Sequence, residues 1–555
     1  MVYKVNKKAL VKTTLCFTLL MAGCTMNESS NRSNVSDLSV LDRKLLANDA
    51  SKVKFVTSPK LQRYIEVEKG DLSLITYDLF KKDEKIDDYF ADEKESFPEV
   101  YTEIEGILTF RGNHLRDAPS YGYIPYAKNH RLKTKWSFST GASQRWGGGA
   151  GWTGQPSIIK WDQQVREMMN LKDAFKVRDD FVEVIYGSLD GQVYFLDMKT
   201  GEKTREPIYI GNPIKGSVSV DPRGYPLLFV GDGVPQNAKF GHRIYSLIDH
   251  SKIYFLNGND RLAYRSWGAF DSSPLINRLT DTLFVGGENG LFYKLKLNTE
   301  FNIEKAEVSV TPKLIKYRYQ VSGNSYQGIE NSVATFANLA YFADNGGSIQ
   351  GIDLMAMEPF FALAPLDDTV STIVIEIEDE YPFLYTGTEV DNIGRDGNAH
   401  IRKIDGLTGE VIWHKEYPAF YYPGVVGGVL ATPVLGKKSI NDLVIFTIAR
   451  FQKRYSGLMV AFNKQTGEEE WRWEMPHYAW SSPVDIYDED GKAFLVQGDS
   501  GGNLHLIEAR SGGVIDTVNL GANIEATPAV YENMIIVGTR GGKFYGVEIQ
   551  GLVEE

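Results

Sequence analysis

In this 555-residue chain the side chains best suited to chemistry stand just ahead of eight short apolar runs. They are Trp152, Lys215, Trp267, Asp271, Glu330, Asn331, Asp368, Tyr478, Trp480 and Glu525. Indole and phenol faces can stack a planar or sugar-like ligand, and carboxylates can fix its orientation. Asp271, Glu330, Asn331 and Asp368 also offer the oxygen donors that a hard cation gathers. The plain alternative is that they are polar caps and packing aromatics at the ends of strands.

Other patterns carry less. Gly149-Ala-Gly151-Trp-Thr-Gly154 spells a dinucleotide fingerprint, but Gln-Pro-Ser-Ile-Ile follows, which is a strand, so no helix N-terminus is available for a pyrophosphate. Asp488-Glu-Asp490-Gly491 and Asp391-Asn-Ile-Gly-Arg-Asp396 are pieces of calcium-loop spelling without the closing Glu, and read as turns. The eight His residues show no zinc spacing, and no Ser-His-Asp arrangement stands out. No catalytic, cofactor-binding or metal residue is assigned from the sequence.

The elements that must position the candidate ring form a repeat. Gly187-Ser-Leu-Asp-Gly-Gln-Val-Tyr recurs as Gly286-Gly-Glu-Asn-Gly-Leu-Phe-Tyr, as Gly538-Thr-Arg-Gly-Gly-Lys-Phe-Tyr, and in related form from Ala343 and Gly498. Each reads as strand, tight turn, strand, with glycine supplying positive φ. Longer-turned copies begin at Gly231, Gly387 and Ala449, making eight. A small or polar pair, often with Pro, and an apolar strand precede each hairpin, as in Gln155-Pro156, Ser273-Pro274, Thr432-Pro433, Ser482-Pro483 and Thr527-Pro528. Turns at Asp197 to Gly201, Asp405 to Gly409, Asn463 to Gly467 and Glu508 to Gly512 share one spacing, and Trp413 and Trp471 follow two of them. At roughly 49 residues per copy, four strands per blade are expected. The fold class is therefore all-β: an eight-bladed β-propeller of four-stranded blades, closed by an N-terminal strand near Trp136 that completes the last copy. The candidate ring would then surround one end of the axial channel, and Trp413 and Trp471 would sit between neighbouring blades.

The Asp-x-x-Thr-Gly-x-x-x-Trp segments, the glycine hairpins and the lead-in Phe110-Arg111-Gly112-Asn113 resemble the pyrroloquinoline-quinone-like (PQQ-like) repeat proteins. That superfamily of eight-bladed propellers includes quinoprotein dehydrogenases, outer-membrane β-barrel assembly lipoproteins and scaffolds that hold no quinone. The resemblance implies a propeller over residues 106–555. It leaves function open between a ligand-binding or protein-interaction scaffold, a PQQ- and calcium-dependent dehydrogenase of alcohols or sugars, and a barrel-assembly lipoprotein. A vicinal Cys pair and a Cys-x-x-Cys-His haem site, which would favour the dehydrogenase, are missing from the sequence. The scaffold reading, without a cofactor, is the expectation.

Composition agrees with a folded body. Hydrophobic residues are 43% and charged residues 24% of the chain, and the formal net charge of -12 argues against a nucleic-acid partner. Residues 1–23 read as a lipoprotein signal peptide: Lys4, Lys7, Lys8 and Lys12, then an apolar run ending Leu20-Met21-Ala22-Gly23 before Cys24. That ending resembles a lipobox, implying lipidation of Cys24, a membrane anchor and an extracytoplasmic location on the cell or outer membrane. The partner, whether an envelope protein, a small molecule or a glycan, is not specified. Residues 24–105 are expected to be a flexible tether and extension, with the charge run at 81–88 a solvated helix face or loop. If the anchor is real, Cys24→Ala moves the protein from the membrane to the soluble fraction of lysed cells; unchanged partition removes it.

Overall fold

The computed structural model describes residues 64–152 and 154–552; Cys24, the expected signal peptide and most of the expected tether lie outside them. The described residues form the expected ring of eight four-stranded antiparallel blades. Blade one runs through Ser157–Ile159, Glu183–Gly187, Gln192–Asp197 and Ile208–Tyr209. Blade five, with its longer strands, runs through Val374–Glu378, Tyr381–Gly387, Asn398–Asp405 and Val411–Pro418. Second strands such as Leu227–Gly231, Thr282–Gly286 and Leu443–Ala449 are buried at every position. A blade interior is covered on both faces by its neighbours, so these strands are apolar runs rather than alternating ones.

The ring closes as expected. Asn129–Ser139 lies antiparallel to Lys543–Leu552, with Trp136 opposite Gly546, and becomes the outer strand of blade eight. This removes the open edges that the first and last blades would otherwise present.

Neighbouring blades are joined by two devices that account for the repeated residues. The first is a hydrogen-bond relay at the inner strands. The backbone N–H of Gln155 donates to Ser217 Oγ at 2.8 Å, Ser273 to Ser332 Oγ at 2.9 Å, Ser332 to Thr372 Oγ1 at 3.0 Å, Thr372 to Thr432 Oγ1 at 3.3 Å and Thr432 to Ser482 Oγ at 2.9 Å. At five of the junctions the small polar residue ahead of an inner strand thus binds the blade before it. The second device is an aromatic ring seated on the glycine of the next blade's turn. Trp136 covers Gly201, Phe361 covers Gly409, Trp413 covers Gly467 and Trp471 covers Gly512; in each case a Cβ on the glycine would fall within 2.8 Å of a ring atom. Glycine is required twice over, since these turns also hold φ between 68° and 76°. Trp136 Nε1 donates to Met198 O at 2.9 Å and Trp413 Nε1 to Lys464 O at 3.0 Å, so each of these indoles is pinned as well as packed.

Of the expected extension, residues 64–105 are described, and they are packed on the propeller. Ile75–Lys81 pairs along Lys313–Val321 of blade three, and Glu84–Ile86 pairs outside it. The charge run at 81–88 is the turn and second strand of this hairpin rather than a helix face, with Asp83 paired to Lys316 at 2.8 Å. Ile75, Leu79, Phe97 and Tyr101 join the core between blades three and four.

Residues 105–124 run around the axis and touch every blade. Gly106–Ile107 pairs with Ile158 and Ile159 of blade one, and Leu108 O accepts from Val220 N of blade two. Arg116 donates to Ser273 O of blade three at 3.0 Å and Val333 O at the start of blade four at 2.8 Å. Leu115 O accepts from Ile375 N of blade five. Arg111 donates to Pro433 O ahead of blade six at 2.7 Å and Pro483 O ahead of blade seven at 2.5 Å. Ser120–Tyr121 lies parallel to Val530 and Tyr531 of blade eight. Both arginines are fully buried and both take left-handed backbone, φ 58° and 64°.

Burial of Trp413 between blades leads to a prediction. Trp413→Ala should cost about 3–5 kcal/mol of stability, the usual range for truncating a buried Trp, and visibly lower the calorimetric midpoint. Trp480→Ala, at the wall of a cavity, should leave that midpoint nearly unchanged. The reverse pattern would mean that the register of tryptophans to blades is misread.

Candidate functional site

An inner strand starts, and the second strand of its blade ends, at the same face of an antiparallel blade. Side chains from both places therefore converge at one mouth of the axis. They enclose a cavity of about 200 Å³ lined by Phe110, Trp152, Lys215, Asp271, Glu330, Asn331, Asp368, Glu389, Val426, Leu430 and Trp480, among others. Phe110, from the segment that circles the axis, is part of this lining and links the cavity to the arginine hub.

Seven of the ten candidate residues line the cavity: Trp152, Lys215, Asp271, Glu330, Asn331, Asp368 and Trp480. Glu525 stands behind Trp152, accepting from its backbone N–H at 3.1 Å. Tyr478 lies beside Trp480 with its face under the Arg450 guanidinium, 3.8 Å away. Trp267 is not part of the lining and packs edge-on against Phe240. Glu288 and Glu389 were not anticipated; they follow the second strands Thr282–Gly286 and Tyr381–Gly387, at the same face. The antiparallel register of each hairpin was the signal that could have found them.

The site is a compact set of acids around one ammonium. Lys215 Nζ is ion-paired to Asp271 and lies 3.5 Å from Glu330 and 3.8 Å from Glu288, with the Trp152 ring centre 4.8 Å away. Asn345 Nδ2 donates to Glu330 at 3.1 Å and to Asp368 at 3.2 Å. Trp152 itself holds φ 50°, a strained setting of the kind found where a side chain is aimed. The Trp480 indole Nε1 lacks a hydrogen-bond partner among the described residues, whereas the Asp271 and Glu288 carboxyls face Lys215 and one another.

Burial is the main cause of the unusual acidities here. It pushes the Asp271 carboxyl up to about 7 although Lys215 opposes the shift, and Glu330 adds to it. Glu288 is raised by burial and then by Glu330; Asp368 by burial and Glu330; Glu389 by burial, Asp368 and Glu330. Burial alone would discharge Lys215, but Asp271, Glu330 and Glu288 more than reverse this and hold it protonated. Part of the carboxylate set therefore keeps its protons near neutrality. Such a pocket can donate hydrogen bonds as well as accept them, and can exchange protons for an incoming positive group. Asp271, Glu288 and Glu330 each bring an oxygen within 4.8 Å of the others, a spacing at which one cation could be held.

Fold and site together define a class: an eight-bladed propeller whose axis is pinned at its centre and opens at one face into an acid-lined pocket. Over part of its length the chain is similar to the PQQ-like repeat proteins. A family model described as outer membrane protein assembly factor BamB matches residues 455–552. Among solved structures, the quinohemoprotein alcohol dehydrogenase ADHIIG from Pseudomonas putida HK5 is 12% identical, with a TM-score of 0.52 over 81% of each chain. Quinohemoprotein alcohol dehydrogenase from Comamonas testosteroni gives the same identity, TM-score and coverage. BamB from Moraxella catarrhalis is 15% identical, with a TM-score of 0.43 over 76% of this chain and 99% of that one. The likeness to the two dehydrogenases establishes the fold alone. A comparison with curated protein sequences finds no match.

The raised carboxyls fix the sign of a pH effect. A carboxyl held above its unfolded pKa makes folding take up protons, so its contribution to stability is present at low pH and lost as pH rises through the folded value. Glu389 has no cation among the causes of its shift. Glu389→Gln should therefore raise the unfolding midpoint, by a margin that grows from pH 5 to pH 8; a margin that shrinks over that range would contradict the assignment.

Proposed function

We propose that this chain is a lipid-anchored, extracytoplasmic propeller whose axial pocket binds a small polar ligand carrying hydroxyl or ammonium groups. One observation carries the reading: the cavity wall sets the carboxyls of Asp271, Glu330 and Asp368 beside the indole N–H of Trp480, which has no hydrogen-bond partner among the described residues. Leaving such a buried donor unsatisfied costs about 1–3 kcal/mol, and a ligand offering hydroxyls both accepts from it and donates to the carboxyls. Trp152 and Trp480 supply stacking faces. Anchoring through Cys24 is supported by the sequence around it.

Free pyrroloquinoline quinone fits this lining poorly. It is a tricarboxylic acid, and among the residues lining the cavity Lys215 is the one cationic side chain, already engaged by acids. Quinone held together with a cation at Asp271, Glu288 and Glu330 is the second reading, favoured by the spacing of those three carboxylates. A barrel-assembly role is supported by the match of residues 455–552.

Intrinsic tryptophan fluorescence of the purified protein, titrated separately with glucose and glucosamine, tests the first reading. A saturable change with at least one of them, abolished in Trp480→Ala while the unfolding midpoint holds, is the expected result. No saturation with either sugar, or an equal response in the variant, refutes it. Stoichiometric retention of pyrroloquinoline quinone with Ca²⁺ after gel filtration, accompanied by dye reduction with simple alcohols, would replace it with the dehydrogenase.

A further inference from the structure

Away from the axis, three metal-ligating side chains meet on the outer half of blade five. His400 lies on the third strand, Asn398–Asp405, and His414 and Glu416 lie on the outer strand, Val411–Pro418. The ladder places His400 directly opposite Glu416 and Arg402 directly opposite His414. Residues two apart share a face, so both imidazoles and the carboxylate project from the same side of the blade. We propose that His400, His414 and Glu416 form a binding site for a divalent transition metal of the zinc type.

The geometry is that of converging ligands. His400 Nδ1 and His414 Nε2 face each other at 2.8 Å, and Glu416 Oε1 is 3.9 Å from His400 Nδ1. A metal with Zn–N bonds of about 2.0–2.1 Å holds two imidazole nitrogens a little over 3 Å apart, so a small outward turn of the exposed His414 admits the ion. Asn398 Nδ2 donates to Glu416 Oε2 at 3.1 Å, which orients the carboxylate and leaves Oε1 for the metal. His400 is buried, with its backbone N–H bound to Thr388 Oγ1, whereas His414 and Glu416 are exposed. The ion would therefore have a fixed inner ligand and an outer side open to water or to a ligand from another molecule.

The set is distinct from the axial carboxylates: its nitrogen donors favour zinc-type ions, whereas an all-oxygen set favours calcium or magnesium.

The test is titration of the purified protein with Zn²⁺ against a chromophoric chelator, in parallel with His414→Ala and Glu416→Gln. Both substitutions fall at exposed positions, and unchanged unfolding midpoints verify the fold. Binding of one Zn²⁺ per chain, weakened by more than about tenfold in either variant, a loss that even an outer partner of a ligand causes, is the expected result. A Co²⁺-loaded sample gives an independent readout: a visible ligand-field spectrum that His414→Ala abolishes. No binding by the unsubstituted protein would leave the pair as a simple N–H···N hydrogen bond and overturn the site. Equal binding by all three proteins would move the metal elsewhere and overturn it too.

Discussion

Eight inner strands meeting around one axis leave their leading carbonyls pointing into a region that no further strand can reach. Backbone acceptors in such a place must find donors within the protein. Arg111 and Arg116 provide them, spanning blades three, four, six and seven with two guanidiniums. Burial lowers both pKa values, to about 10 and about 9, which still leaves each charged at neutrality. The left-handed backbone at both residues, and the Gly112 turn where a Cβ would strike Ala118 O at 1.8 Å, show how tightly the segment is shaped to the hole. Removing either arginine would strand several dry carbonyls at once, a larger penalty than losing any one contact.

The hub also determines what the axis can do. It crosses the axis, and its Phe110 forms part of the wall of the acid-lined pocket. The acids at this pocket are deprived of water, so desolvation leads the causes for Asp271, Glu288, Asp368 and Glu389 alike. Lys215, reaching in from the loop before blade two, offsets part of the repulsion and marks where a positive group is welcome.

Much of this architecture was legible in the sequence because it is periodic. Glycine turns, Pro-led inner strands and the tryptophans at 413 and 471 each recur at matching offsets, and each proves to be a blade-to-blade contact. The closing strand at Trp136 could be read because the last copy lacked its fourth strand. The axial ring was only partly legible. Trp267 has the right offset but packs against Phe240 instead of lining the cavity; Glu288 and Glu389 have the wrong offset but the right face. Arg111 and Arg116 gave no signal of their role, since their partners lie 157 to 372 residues away. His400 and His414, fourteen residues apart, match no ligand spacing along the chain and meet through the ladder alone.

The seam of the ring has a kinetic side. Strand Lys543–Leu552 takes its outer partner from Asn129–Ser139, some four hundred residues earlier in the chain. Until the later strand has emerged, the earlier one is an unpaired edge, and the hub segment beside it has only some of its eight partners. Blades can form one by one as the chain is made, since most strand pairs are local, but the circle itself is completed in a single late event of very long loop closure. A chain synthesised from its N-terminus must therefore keep two exposed edges from mispairing throughout its production.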